Sequence, residues 1–175
     1  MTDLQYPVGK LQLKPSPTSD ERLDLIQQIA EAPVHLRKAV AGLSAEQLDT
    51  PYRPGGWTVR QVAHHLPDSH LNAYVRMKLA LTESQPTIKP YNEKLWAELH
   101  DVKTAPVETS LTLLESLHER WVLLLRSLAP EDFLKTMLHP ENGVINLDFI
   151  VQMYSWHGRH HVAHITALRQ RMGWK

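Results

Sequence analysis

Apolar residues recur along most of this chain at intervals of three and four, the period of a helix with one buried face. The clearest run is Leu111, Leu114, Leu117, Trp121, Leu124, Leu125 and Leu128, an amphipathic stripe that belongs in a core. Leu23, Ile26 and Ala30 set the same spacing earlier. Leu36, Val40 and Leu43 resume it beyond Pro33, where a kink or a break is expected. Thr18-Ser19-Asp20-Glu21 opens that stretch in capping-box form, with a hydroxyl and a carboxylate placed to satisfy the orphan amides of a helix start. Thr58-Val59-Arg60-Gln61 is a second such box and predicts a helix to about Thr82. Ser44 to Leu48 reads as a short helical turn, and a last helix is expected from near Asn146 to Gly173, a good C-terminal cap.

The segments between are punctuated by proline and glycine. The chain through Pro15 and Pro17 reads as an extended N-terminal arm, and Thr50 to Trp57 holds two prolines and two glycines in loop chemistry. Pro86 and Pro90 bound another loop, followed by a short amphipathic piece from Asn92 to His100. Pro106 is well placed at a helix start. After Pro130, His139 to Gly143 reads as a turn or exposed loop. No strand is required anywhere, and no repeat or linker divides the chain. The prediction is an all-α fold: one domain over 1–175, a four-helix bundle with extra short helices and the N-terminal arm.

Composition changes this picture mainly by exclusion. Lys plus Arg and Asp plus Glu are 19 each, so no whole-molecule field draws nucleic acid or anionic lipid, and neither is expected as a partner. The absence of cysteine removes disulfides, thiolate ligands and a thiol nucleophile together. Met1-Thr2-Asp3-Leu4-Gln5 does not begin a signal peptide, and no apolar run approaches the ~20 residues that span a bilayer. A cytoplasmic location is expected.

The abnormal figure is 11 histidines, seven of them in two stretches, His64 to His70 and His157 to His164. On a helix, His157 and His161 share a face one turn apart, as do His160 and His164, and the two pairs point about 100° apart. Such a pair grips Zn²⁺ or Ni²⁺, and a third imidazole from the other stretch leaves an open position for water, as in catalytic sites. Periodicity does not choose between His64 and His65 for that third place. His35, His100, His118 and His139 stand alone and read as ordinary surface or core residues. Gly158, beside His157, leaves room for close helix packing or for a substrate. There is no His-Glu-x-x-His motif, no nucleophile elbow and no phosphate-binding glycine loop. No catalytic residue is therefore assigned.

Asp49-Thr50-Pro51-Tyr52-Arg53-Pro54-Gly55-Gly56-Trp57-Thr58-Val59-Arg60-Gln61-Val62, running into His64-His65-Leu66, resembles the YfiT branch of the DinB/YfiT superfamily. Trp156-His157, His160-His161-Val162-Ala163-His164-Ile165-Thr166 and Arg171-Met172-Gly173-Trp174 carry the same resemblance, which spans nearly the whole chain. It implies a four-helix bundle, a cytoplasmic homodimer and one Zn²⁺ or Ni²⁺ per subunit, held by His65, His157 and His161 with water completing the shell. His64, His160 and His164 are then packing or supporting residues. One departure is Pro67, where the family usually has alanine; a bend is expected just beyond His65.

The resemblance also implies a metal-dependent hydrolase acting on an unknown small molecule through metal-bound water. His64, Asp68 and His160 are the nearest candidate bases. A rival implied by other superfamily members is S-transfer, conjugating a low-molecular-weight thiol such as bacillithiol to an electrophile. A third reading is a non-catalytic metal-binding protein.

Overall fold

A computed structural model describes residues 3–175, so Met1 and Thr2 of the leader reading lie outside the described residues. Four long helices dominate. The first, α1 (Ser19–Val40), starts at the Thr18–Glu21 capping box, in which Glu21 N–H donates to Thr18 Oγ1 at 3.3 Å and Thr18 N–H to Glu21 Oε2 at 2.7 Å. The short α2 (Ala45–Leu48) follows, and α3 (Val59–Thr82) opens at the reciprocal box of Thr58 and Gln61. Two short helices, α4 (Glu93–Trp96) and α5 (His100–Thr104), lead to α6 (Val107–Arg126). The last, α7 (Leu147–Met172), is capped by Asn146 and ends at Gly173, which takes the left-handed φ of 65° that glycine adopts without strain.

Pro33 does not break α1. A proline at this place leaves the Ile29 carbonyl without its helical donor. His118 Nδ1, 2.7 Å from that oxygen, takes the vacant bond, so the helix continues.

The expectation of no strands is corrected. After a 3₁₀ turn (Pro130–Leu134), β1 (Thr136–His139) and β2 (Gly143–Asn146) form an antiparallel hairpin in the register Thr136↔Asn146 to His139↔Gly143. Its Asn142-Gly143 step, with Gly143 at φ 72°, is a hairpin signal. Met137 is fully buried beneath it. Residues 86–88 pin to the hairpin through Leu138, which gives its N–H to the Pro86 carbonyl at 2.9 Å and accepts from Ile88 N–H at 3.0 Å.

Two apolar clusters fix the helix directions. One gathers Ile26 and Ile29 of α1, Met77 and Ala80 of α3, Trp121 and Leu125 of α6, and Leu147 to Tyr154 of α7. The other gathers Leu36 and Val40, Val59 to Leu66, Val107 to Leu114, and Ile165 and Leu168. Thus α1 and α7 run one way and α3 and α6 the other. The link between α3 and α6, carrying α4 and α5, must therefore travel the length of the bundle. Each of α1 and α3 packs on both α6 and α7. His65, His70, His118, His157 and His161 lie between the two clusters, while His64 and His164 sit beside members of the second. Gly158 lets α7 approach α1 closely, since a Cβ there would stand 3.0 Å from that of Ala32. Among the described residues, no helix is long and apolar enough to cross a membrane.

The first turns of α1 and α7 are joined by a two-pronged ion pair, Arg22 Nε to Asp148 Oδ1 at 2.7 Å and the second nitrogen to Oδ2 at 2.8 Å. The Asp148 side chain is 3% exposed. Arg22→Met should destabilise the protein by about 3–5 kcal/mol in urea unfolding, because a buried carboxylate is left alone. Adding Asp148→Leu to that variant should recover much of the loss.

Candidate metal centre

The antiparallel packing of α3 on α7 brings His65 opposite His157 and His161. One ligating nitrogen from each lies within 4.8 Å of the others. The Nε2 atoms of His65 and His157 are 3.3 Å apart. Ring centroids are 5.2 Å apart for His65–His157, 4.8 Å for His65–His161 and 4.5 Å for His157–His161. His65 and His161 are buried and His157 is half-buried. Pro67 does not disturb the meeting, for α3 runs through it unbroken.

His64 turns the other way, its Nδ1 2.7 Å from Ser110 Oγ on α6. The two adjacent rings thus face different helices, His64 toward α6 and His65 toward α7.

Burial decides the protonation states. It lowers His65 to about 4, and it holds His157 and His161 well below the ordinary value, with His65 repelling charge on both. All three rings are neutral near pH 7 and offer lone pairs. The donor set fits a divalent ion on two further counts. Two nitrogens bonded at ~2.0–2.1 Å to one tetrahedral ion stand roughly 3.3–3.4 Å apart, the separation of the His65 and His157 nitrogens. His161 Nδ1 is also buried without a hydrogen-bond partner.

His160, His161 and His164 make a second group with nitrogens within 4.8 Å, all from one helix and sharing His161. His164 Nε2 donates to the Gln5 carbonyl at 3.1 Å, which leaves its buried Nδ1 bare. Tyr52 stacks on His164 at 3.9 Å and Trp156 on His160 at 4.3 Å. These three histidines line a cleft of about 860 Å³, walled by the Tyr52–Trp57 loop, the arm residues Gln5 and Tyr6, and α4. Trp57 covers His65 with ring centroids 4.7 Å apart. Gly56 has no room for a side chain there, since a Cβ would meet Arg53 Cγ at 2.8 Å.

The three candidate bases are dispersed. His160 lines the cleft, with burial lowering it to about 4. His64 is engaged by Ser110. Asp68 is raised to about 6, chiefly by burial and then by Asp101.

His118 is a core residue, one of the two places expected for it, but it does not stand alone. It is 2% exposed, and its Nε2 lies 2.8 Å from His70 Nδ1, while His70 Nε2 lies 3.2 Å from His157 Nδ1. The signal was available: His118 falls on the apolar stripe of α6, between Leu114 and Trp121, where an unpartnered imidazole would be costly.

A sequence profile described as the DinB superfamily matches residues 28–165. Proteins of Bacillus cereus (strain ATCC 10987) and Bacillus thuringiensis subsp. konkukian, provisionally named metal-dependent hydrolases, are each 57% identical to this chain, covering 99% of it and 100% of their own length. The solved structure of YfiT from Bacillus subtilis, described as a probable metal-dependent hydrolase with an unusual four-helix bundle topology, has a TM-score of 0.96. It is 49% identical and covers 98% of this chain and 99% of that one. In sequence and in shape alike, the chain belongs to the DinB superfamily.

Proposed function

We propose that this protein is a metal-dependent hydrolase of a small molecule, with His65, His157 and His161 holding one Zn²⁺ or Ni²⁺ per subunit. The observation that carries the reading is the convergence of three neutral imidazoles from two helices beside an open cleft. The group on α7 alone is the weaker candidate, since one helix supplies every donor and His161 is already committed. Imidazole suits both metals. When bound, the ion supplies Lewis acidity, polarising a substrate oxygen or lowering the pKa of water.

The chain's own residues do the rest. Trp57 shields His65 from solvent. His160, the one candidate base that lines the cleft, can accept a proton beside His161. The likeness to named hydrolases supports the reaction class, and the proposal includes the homodimer that the resemblance implies. S-transfer from a low-molecular-weight thiol is the rival. Assays of the metal-loaded protein on ester and amide panels, with and without added thiol, separate the two. Turnover that requires the thiol would overturn hydrolysis, and metal binding without any turnover would favour a non-catalytic role.

His161→Ala should abolish stoichiometric metal uptake in elemental analysis while circular dichroism shows the helical content largely intact. Full occupancy in the variant would refute the ligand assignment.

Acid should unfold the metal-free protein early. His65, His118 and His160 sit near 4 when folded against 6.5 in the unfolded chain, so the unfolded state binds protons first. Their contribution is complete above pH 6.5 and is lost as pH falls toward 4. Asp68, raised from 3.8 to about 6, works the other way over part of this range, one group against several. Urea midpoints measured from pH 7.5 to 4.5 should therefore fall, and a flat profile would contradict the buried neutral histidines.

A further inference from the structure

Pro33 removes one donor from the hydrogen-bond ladder of α1. An ordinary residue at 33 would give its amide to the Ile29 carbonyl, and proline has no amide hydrogen to give. His118 Nδ1 stands 2.7 Å from that oxygen. A carbonyl oxygen only accepts, so Nδ1 of His118 carries the proton. Burial keeps the ring neutral near pH 7, which leaves its Nε2 able only to accept. The atom facing it at 2.8 Å is His70 Nδ1, which must donate. His70 is fully buried and has its one proton on Nδ1, so its Nε2 accepts in turn, 3.2 Å from His157 Nδ1. His157 therefore spends its proton on His70. Its bare Nε2 faces His65 Nε2 at 3.3 Å.

We propose that His118 and His70 are positioning residues for the metal centre. They form a one-way chain of hydrogen bonds that begins at the carbonyl freed by Pro33 and ends by presenting Nε2 of His157 to the ion. The proposal rests on the reading of His157 as a ligand. A metal-binding imidazole is usually oriented by an acceptor on its other nitrogen, which fixes the tautomer and raises its basicity. Here the acceptor is a backbone carbonyl acting through two intervening rings. The chain touches all four long helices: Ile29 on α1, His118 on α6, His70 on α3 and His157 on α7. Its direction cannot reverse, because the oxygen at its origin has no proton to offer.

Nitrogen-15 NMR of the full-length protein, without metal and with one equivalent of Zn²⁺, reads the tautomers directly. In both states His118, His70 and His157 should show protonated Nδ1, and Zn²⁺ should move the Nε2 resonance of His157. His118→Leu should leave His70 and His157 as mixed tautomers and weaken Zn²⁺ binding by about 10–100-fold. His118→Gln, whose amide can donate to Ile29 and accept from His70, should recover most of the affinity, which a purely packing role would not produce. A bare Nδ1 on His157 in the wild-type protein would overturn the proposal, and so would wild-type affinity in His118→Leu. If His118→Leu does not fold, the wild-type tautomers decide the matter alone. The expected tautomers in a protein that takes up no Zn²⁺ would support the chain of bonds and overturn the metal reading instead.

Discussion

A ring nitrogen taken out of water must find a partner or stay costly, and this bundle takes many out of water at once. Seven histidines are buried and His157 is half-buried, some between the two apolar clusters and others, such as His64 and His164, within the second. Their neutrality follows from burial. Several of their protons go to fixed acceptors: the carbonyls of Ile29 and Gln5, and, by one arrangement of its hydroxyl, Ser110. Those acceptors lie on different segments. These rings therefore read out the bundle's assembly, and their lone pairs converge only when the helices sit as they do.

The long helices were legible because their signals are local. Each capping box places a hydroxyl and a carboxylate or amide within three residues, and the apolar stripe of α6 repeats over several turns. The hairpin escaped for the opposite reason. Its strands are four residues long and mostly half-buried or exposed without a regular pattern, too short for alternation to stand out from loop. The site was half legible. Spacing offered His157 with His161 and His160 with His164 alike and left His64 and His65 open, and the family resemblance rather than periodicity preferred His65, His157 and His161. Which of two adjacent rings faces α6 and which α7 is a matter of about 100° of rotation, and it depends on how those helices pack around α3. His118 looked solitary because its partners are distant in sequence, Ile29 by 89 residues and His70 by 48.

Two prolines inside helices illustrate how one local rule gives unlike outcomes. Both remove a donor, yet neither ends its helix. At Pro33 the freed carbonyl is answered by a histidine from another helix. Pro67, buried in α3 two residues past His65, marks a departure from the alanine usual in the resembling family, and the ring still reaches His157. A breaker read from sequence thus locates an unpaired carbonyl more securely than it locates a break.

The N-terminal arm lies along α7, fastened by side chains rather than by packing layers. Gln152 grips both backbone groups of Lys14 at 2.7 and 3.0 Å, Trp156 Nε1 holds the Gly9 carbonyl at 3.0 Å, and His164 holds that of Gln5. Gln5 and Tyr6 form part of the cleft wall. One wall of the cleft is thus hung on three side chains of α7, Gln152, Trp156 and His164. The same helix that carries His157 and His161 therefore also sets where the chain's first residues stand around the opening.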